Sequence, residues 1–190
     1  MNRFFQILLI FSTLAFCWLA MMAVHEAGHV LHAWLTGGTV ERVVLHPLAI
    51  SRTDVLPYPP SLVVVWGGPI WGCLIPLAVL AIVRFAAKSH VYLAAFFAGF
   101  CLIANGAYLM IGAFLPPGFD DGGVILRNGG ARWQLIAFGL FTIPAGLYLW
   151  NGLGPHFGLG AAKGNVDRRA AVGTAGVLAV LVILELILSC

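Results

Sequence analysis

The run from Phe4 to Leu35 is apolar almost throughout, and near its end it carries His25-Glu26-Ala27-Gly28-His29. Two histidines four apart on a helix project from one face, so both imidazoles can reach a single metal ion. The glutamate beside the first can take a proton from a water that such an ion activates. Ionisable side chains are costly in hydrocarbon, which marks their presence inside an apolar run as functional. A chance match has no reason to fall within a stretch of membrane-grade apolarity.

Composition identifies the solvent. Hydrophobic residues make up 61% of the 190-residue chain and charged residues only 9%, with a mean hydropathy of +0.99. A soluble domain carries about 25% charged residues. So little polar surface cannot cover a globule, and the outer surface must face lipid. The net charge of +3 is scattered, and with no basic cluster the expected partners exclude nucleic acid and include the lipid bilayer. Cys17, Cys73, Cys101 and Cys190 form no CxxC and read as small core- or lipid-facing residues.

A helix needs about 20 apolar residues to cross a bilayer. Five runs qualify: Phe4–Leu35, Ser61–Val83, Val91–Leu115, Trp133–Trp150 and Ala170–Leu188. The first exceeds a secretory h-region and lacks a clean cleavage site, so it reads as an uncleaved span. Pro69 and Pro76 predict a kinked second span, with a kink beside a polar cavity and a simple packing kink as equal readings. The expected fold is an all-α polytopic membrane protein of about five transmembrane helices. With a cytoplasmic amino terminus, that side holds Arg3, Arg84, Lys88, Lys163, Arg168 and Arg169, against Arg42, Arg52, Arg127 and Arg132 opposite, a slight positive-inside bias. With either orientation, the His25 end of the first span and the Leu115 end of the third share one side.

HExxH supplies two ligands, and an open zinc site takes a third from elsewhere. Asp120 and Asp121, in Leu115-Pro116-Pro117-Gly118-Phe119-Asp120-Asp121-Gly122-Gly123, form the only acidic pair and lie on the correct side. Prolines stop the third helix there, and glycines let a loop turn closely around an ion. Taken alone, the segment reads first as an ordinary Asp-Gly turn in a loop; beside an HExxH that lacks a third ligand, the metal-ligand reading takes precedence.

At these residues the chain resembles the site-2 protease family of intramembrane zinc metalloproteases, in a compact form without an appended PDZ or nucleotide-sensing domain. Members carry HExxH in one span, a Gly-Pro in the next, matched by Gly68-Pro69, and a Pro-x-x-x-x-Asp-Gly-Gly near a later one, matched from Pro116 to Gly123. The resemblance covers roughly the first 130 residues. It implies one Zn²⁺ per chain on His25, His29 and Asp121, with Glu26 as the catalytic base. It also implies a membrane-protein substrate cut in or near its transmembrane segment, unwound and bound as an extended strand. The segment from Thr39 to Leu45, after Gly37-Gly38, would then form a small β-hairpin or re-entrant segment whose edge captures the substrate.

Two departures stand out. Many members have asparagine where Ala113 and Gly72 stand here, and those asparagines help to hold substrate. Asn105, inside the third span, is the candidate to take over substrate binding; its plain alternative is an interhelical hydrogen bond. The whole chain, 1–190, reads as a single membrane-embedded metalloprotease domain, with a core of 4–130 and two further spans in 131–190. The expected location is integral to a membrane, the bacterial cytoplasmic membrane.

The remaining signals are weaker. His32 lies on nearly the same face as His29 and reads as an interfacial or supporting group, while His46, His90 and His156 are assigned no metal. Gly28 lets its helix lie close to a neighbour or to substrate. Glu185 is expected to reach the interface, and Gly152–Asn165 reads as a flexible loop with few apolar anchors. Two other functions compete: a catalytically silent relative that binds membrane partners, and a metal transporter using HxxxH. Glu26 argues against the first. The lack of inward acids in the second and fifth spans, apart from terminal Glu185, argues against the second.

Overall fold

The computed structural model describes residues 2–116, 118 and 120–188. Along the chain run α1 (Asn2–Leu35), β1 (Thr39–Val44), β2 (Arg52–Leu56), α2 (Leu62–Ala86), α3 (Val91–Gly112), α4 (Asp121–Arg127), α5 (Arg132–Trp150) and α6 (Arg168–Leu188). Among the described residues five helices, α1, α2, α3, α5 and α6, are long and apolar enough to cross a membrane. The chain is an all-α polytopic integral membrane protein with one small hairpin after its first span.

Glycine ends α1. Gly37 sits at φ +73°, a left-handed conformation that glycine adopts without a Cβ penalty. The Gly38 N–H bonds back to the Ala33 carbonyl at 2.8 Å, and β1 begins one residue later. β1 and β2 pair antiparallel with Val40 opposite Val55 and Val44 opposite Arg52, and a bulge falls between Val40 and Arg42. The hairpin is fastened to the bundle by a buried cluster of Ala33, Val55 and Val64.

Helix approach depends on small residues, as expected where lipid removes the usual hydrophobic drive between helices. A side chain at Gly28 would run into the Gly67 carbonyl, so α1 and α2 touch backbone to backbone. Of the two partners expected for Gly28, the structure supplies the neighbouring helix. A Cβ at Gly72 would stand 2.8 Å from the Asn105 amide, and one at Gly146 would stand 2.6 Å from the Gly99 carbonyl. These contacts draw α2 to α3 and α3 to α5. α2 stays helical from Leu62 to Ala86 despite both prolines, and its amino end is capped by Ser61.

α6 runs in the same direction as α1. Arg168 lies over the Phe5 ring, and the Ser12 and Thr174 hydroxyls are 2.7 Å apart. Three sequence expectations change here. The 152–165 connection is anchored rather than loose: Phe157 is buried, and Gln6 Nε2 donates to the Phe157 and Gly158 carbonyls at 3.1 and 3.0 Å. Glu185, near the carboxyl end of α6, is 3% exposed and so covered instead of reaching outward. The Asp-Gly-Gly segment does not form a loop but opens α4, with Asp120 as its N-cap. Cys17, Cys73 and Cys101 are buried and free, while Cys190 lies outside the described residues.

Candidate metal centre

Three ligand atoms meet between α1, α2 and α4. His25 Nε2 lies 3.1 Å from His29 Nε2. Asp121 Oδ2 lies 2.9 Å from the first nitrogen and 3.4 Å from the second. Atoms bound tetrahedrally to one zinc at about 2.0–2.1 Å stand about 3.3 Å apart, close to these three separations. Three electron-pair-bearing atoms this close need a cation between them, whether protons or a metal.

The imidazoles are fixed from behind. The Asn105 amide donates from Nδ2 to the Cys101 carbonyl at 2.9 Å, which turns its oxygen toward α1. His25 Nδ1 is 2.7 Å from that oxygen and must donate to it. His29 Nδ1 donates to the Val64 carbonyl at 2.9 Å. Each ring therefore carries its proton on Nδ1 and leaves the Nε2 lone pair for the ion, the arrangement metal-bound histidines adopt. The space in front is kept by Gly68. A Cβ there would strike His29 Nε2 and come within 2.6 Å of His25 Nε2. The donor set, its orientation and this glycine together fit a zinc ion.

Asp121 is the first residue of α4, and Asp120 occupies the N-cap, accepting from the Gly123 N–H. The cap turns Asp120 back onto its own helix and leaves the next carboxylate pointing at the histidines. Burial alone would raise the Asp121 carboxyl. When protons on the two Nε2 atoms stand in for the metal, hydrogen bonds from His25 and His29, and their electrostatic attraction, outweigh it and hold the group well below the ordinary carboxylate range. Among the described residues, His25, His29 and Asp121 form a group whose ligand atoms lie close enough together to hold one metal ion.

Glu26 is 4% exposed. Its two carboxylate oxygens each accept a hydroxyl at 2.7 Å, one from Ser51 and one from β2 Thr53. The hairpin thus holds this carboxylate in place. A cavity of about 750 Å³ opens onto His25, Glu26, His29 and Asp121 and is walled by β2, Tyr108 and the start of α4.

A protein-family profile, described as Peptidase M50B-like, matches residues 4–113. The chain belongs to the Peptidase M50B-like family. Comparison with curated proteins and with solved structures gave no match. The matched stretch of this M50B-like chain holds His25, Glu26, His29, Gly68 and Asn105 and ends before Asp121.

The structure brings His25, His29 and Asp121 together, with Glu26 on the same cavity. For Asn105 the structure shows the plain alternative, an interhelical hydrogen bond, made to His25. It is 1% exposed, with both amide atoms engaged by His25 and Cys101, so it sits behind His25 rather than on the cavity wall. His32 is likewise turned away: Nδ1 donates to the Val63 carbonyl at 2.6 Å and Nε2 accepts from Trp71 Nε1 at 3.0 Å, tying α1 to α2. Ser51, Thr53 and Tyr108 were not anticipated. For Tyr108 the signal was present, because Asn105-x-x-Tyr108 puts both residues on one face of α3. Nothing local marks Ser51 or Thr53.

Proposed function

We propose that this M50B-like protein is an intramembrane zinc endopeptidase that hydrolyses peptide bonds in or near the transmembrane segments of other membrane proteins. The observation that carries this reading is the 2.9–3.4 Å triangle of His25 Nε2, His29 Nε2 and Asp121 Oδ2 beside the buried Glu26 carboxylate. A zinc ion held there would polarise the scissile carbonyl and bring the pKa of a water to about 7. Glu26 takes that water's proton as it adds to the carbonyl carbon, and returns the proton to the leaving nitrogen. Each Glu26 oxygen keeps a lone pair beyond the one its hydroxyl donor uses, so the carboxylate is oriented but still able to accept.

β2 lies along the cavity. An unwound substrate strand paired there would have its backbone satisfied in a setting with little water. The substrate class is a membrane protein, and the proposed setting is a bacterial cytoplasmic membrane.

The test is a Glu26→Gln variant in detergent micelles with a single-span membrane protein as substrate. The expected result is full zinc content with cleavage lost. A silent binding protein would show no cleavage in either form, and a metal transporter would move zinc across vesicles without cutting. Either outcome overturns the proposal.

A further inference from the structure

Hydrolysis of a peptide builds negative charge on the carbonyl oxygen, and a preorganised donor aimed at that oxygen is a large source of rate. Most side-chain donors near the candidate ligands are already engaged. Ser51 and Thr53 donate to Glu26, both histidine Nδ1 protons go to carbonyl oxygens, and the Asn105 amide donates to Cys101. Arg52 turns to Asp54 at 3.4 Å and is largely exposed.

Tyr108 is different. Its ring stands edge-on to His25, centroids 6.0 Å apart. Its hydroxyl oxygen accepts the Asp121 N–H at 3.1 Å, so it touches two of the three ligand residues. That bond uses the oxygen as acceptor and leaves the phenol's own proton available. Among the described residues no group accepts that proton, and Tyr108 lines the cavity. Asp121 N–H and the His25 ring fix the phenol from two sides, which is the preorganisation an oxyanion donor requires.

We infer that Tyr108 is a catalytic residue, whose O–H donates a hydrogen bond to the substrate carbonyl oxygen as it becomes an oxyanion. The role rests on the endopeptidase reading. As the water oxygen bonds to the carbonyl carbon, the π pair moves onto the carbonyl oxygen and Glu26 receives the water proton. Tyr108 transfers no proton and only stabilises the new charge. On collapse the C–N bond breaks, the nitrogen takes the proton from Glu26, and the hydrogen bond relaxes.

The experiment compares zinc-loaded wild type and Tyr108→Phe, full length in micelles, with two peptides of the same apolar sequence. One carries a phosphinate, which presents a tetrahedral oxyanion. The other carries a thiol, which binds metal through sulfur and presents none. Phenylalanine should leave zinc stoichiometry and thiol affinity unchanged, which also reports an intact fold. Phosphinate affinity should fall about a hundredfold, in line with removal of one oxyanion donor. Equal phosphinate affinity in the two proteins overturns the inference, as does loss of zinc or of both affinities, since the hydroxyl would then merely position Asp121. Failure of wild type to bind either peptide sinks the endopeptidase reading itself, and Tyr108's role with it.

Discussion

Asn105 Oδ1 lies 2.7 Å from His25 Nδ1, and this one contact sets which nitrogen of His25 faces the cavity. The amide is itself held by its bond to the Cys101 carbonyl one helical turn earlier. An Asn105→Ala variant leaves the His25 ring without its partner, free to rotate and change tautomer. Zinc affinity should then drop about 10–100-fold, the usual effect of removing a group that orients a metal-bound histidine. Competition against a chelator of known affinity measures it. Unchanged affinity would mean that packing alone fixes the ring.

Gly68 tests the space between the imidazoles. A methyl group there collides with the Nε2 atoms of both rings, and relieving the clash by moving α1 away would open the Gly28–Gly67 backbone contact that seats the two helices. Gly68→Ala should therefore abolish stoichiometric zinc binding while helical content by circular dichroism stays near wild type. Retention of one zinc per chain would show that the rings can move aside and still converge.

Ser51 and Thr53 hold Glu26 from the hairpin. A hydrogen bond to a charged group contributes about 1.5–3 kcal/mol. Thr53→Val keeps the shape and removes the hydroxyl, and Ser51→Ala does the same on the other oxygen. Each should slow cleavage about tenfold or more, since 1.4 kcal/mol is a factor of ten. Zinc content should not change, because neither hydroxyl touches a ligand. A variant that lost metal instead would place the hairpin's effect on the ion rather than the base.

What the sequence made legible follows from locality. The spans depend on hydropathy and length alone, so the five predicted runs and the five observed helices agree to within a few residues. HExxH needs only helical periodicity, and it put His25 and His29 on one face. Asp121 lies far along the chain, and only the resemblance distinguished it from Asp120; the physical reason, an N-cap turning Asp120 away, required α4 to exist. Asn105 was visible as a polar residue in an apolar helix. Its role was not, because that depends on the rotation of α3 against α1. Ser51 and Thr53 reach Glu26 only through the hairpin's tertiary seat. The covering of Glu185 and the anchoring of the 152–165 connection through Phe157 were hidden for the same reason: burial depends on which elements become neighbours in space.

Asp120 and Asp121 are adjacent, identical in chemistry and opposite in expected effect. Asn is as good an N-cap as Asp, so Asp120→Asn should leave α4 and the zinc site intact. Asn in place of Asp121 keeps the size but removes the charge, and a neutral amide is a poor zinc ligand beside two imidazoles. Asp121→Asn should weaken zinc binding by orders of magnitude, and chelator treatment should empty it at concentrations that leave Asp120→Asn loaded. Asp120→Ala separates the cap from the charge. It should cost about 1 kcal/mol of local helix stability and lower zinc affinity only as far as α4 frays. Zinc titrations of the three variants side by side check the assignment, and equal loss in both asparagine variants would show that the two carboxylates share the ion.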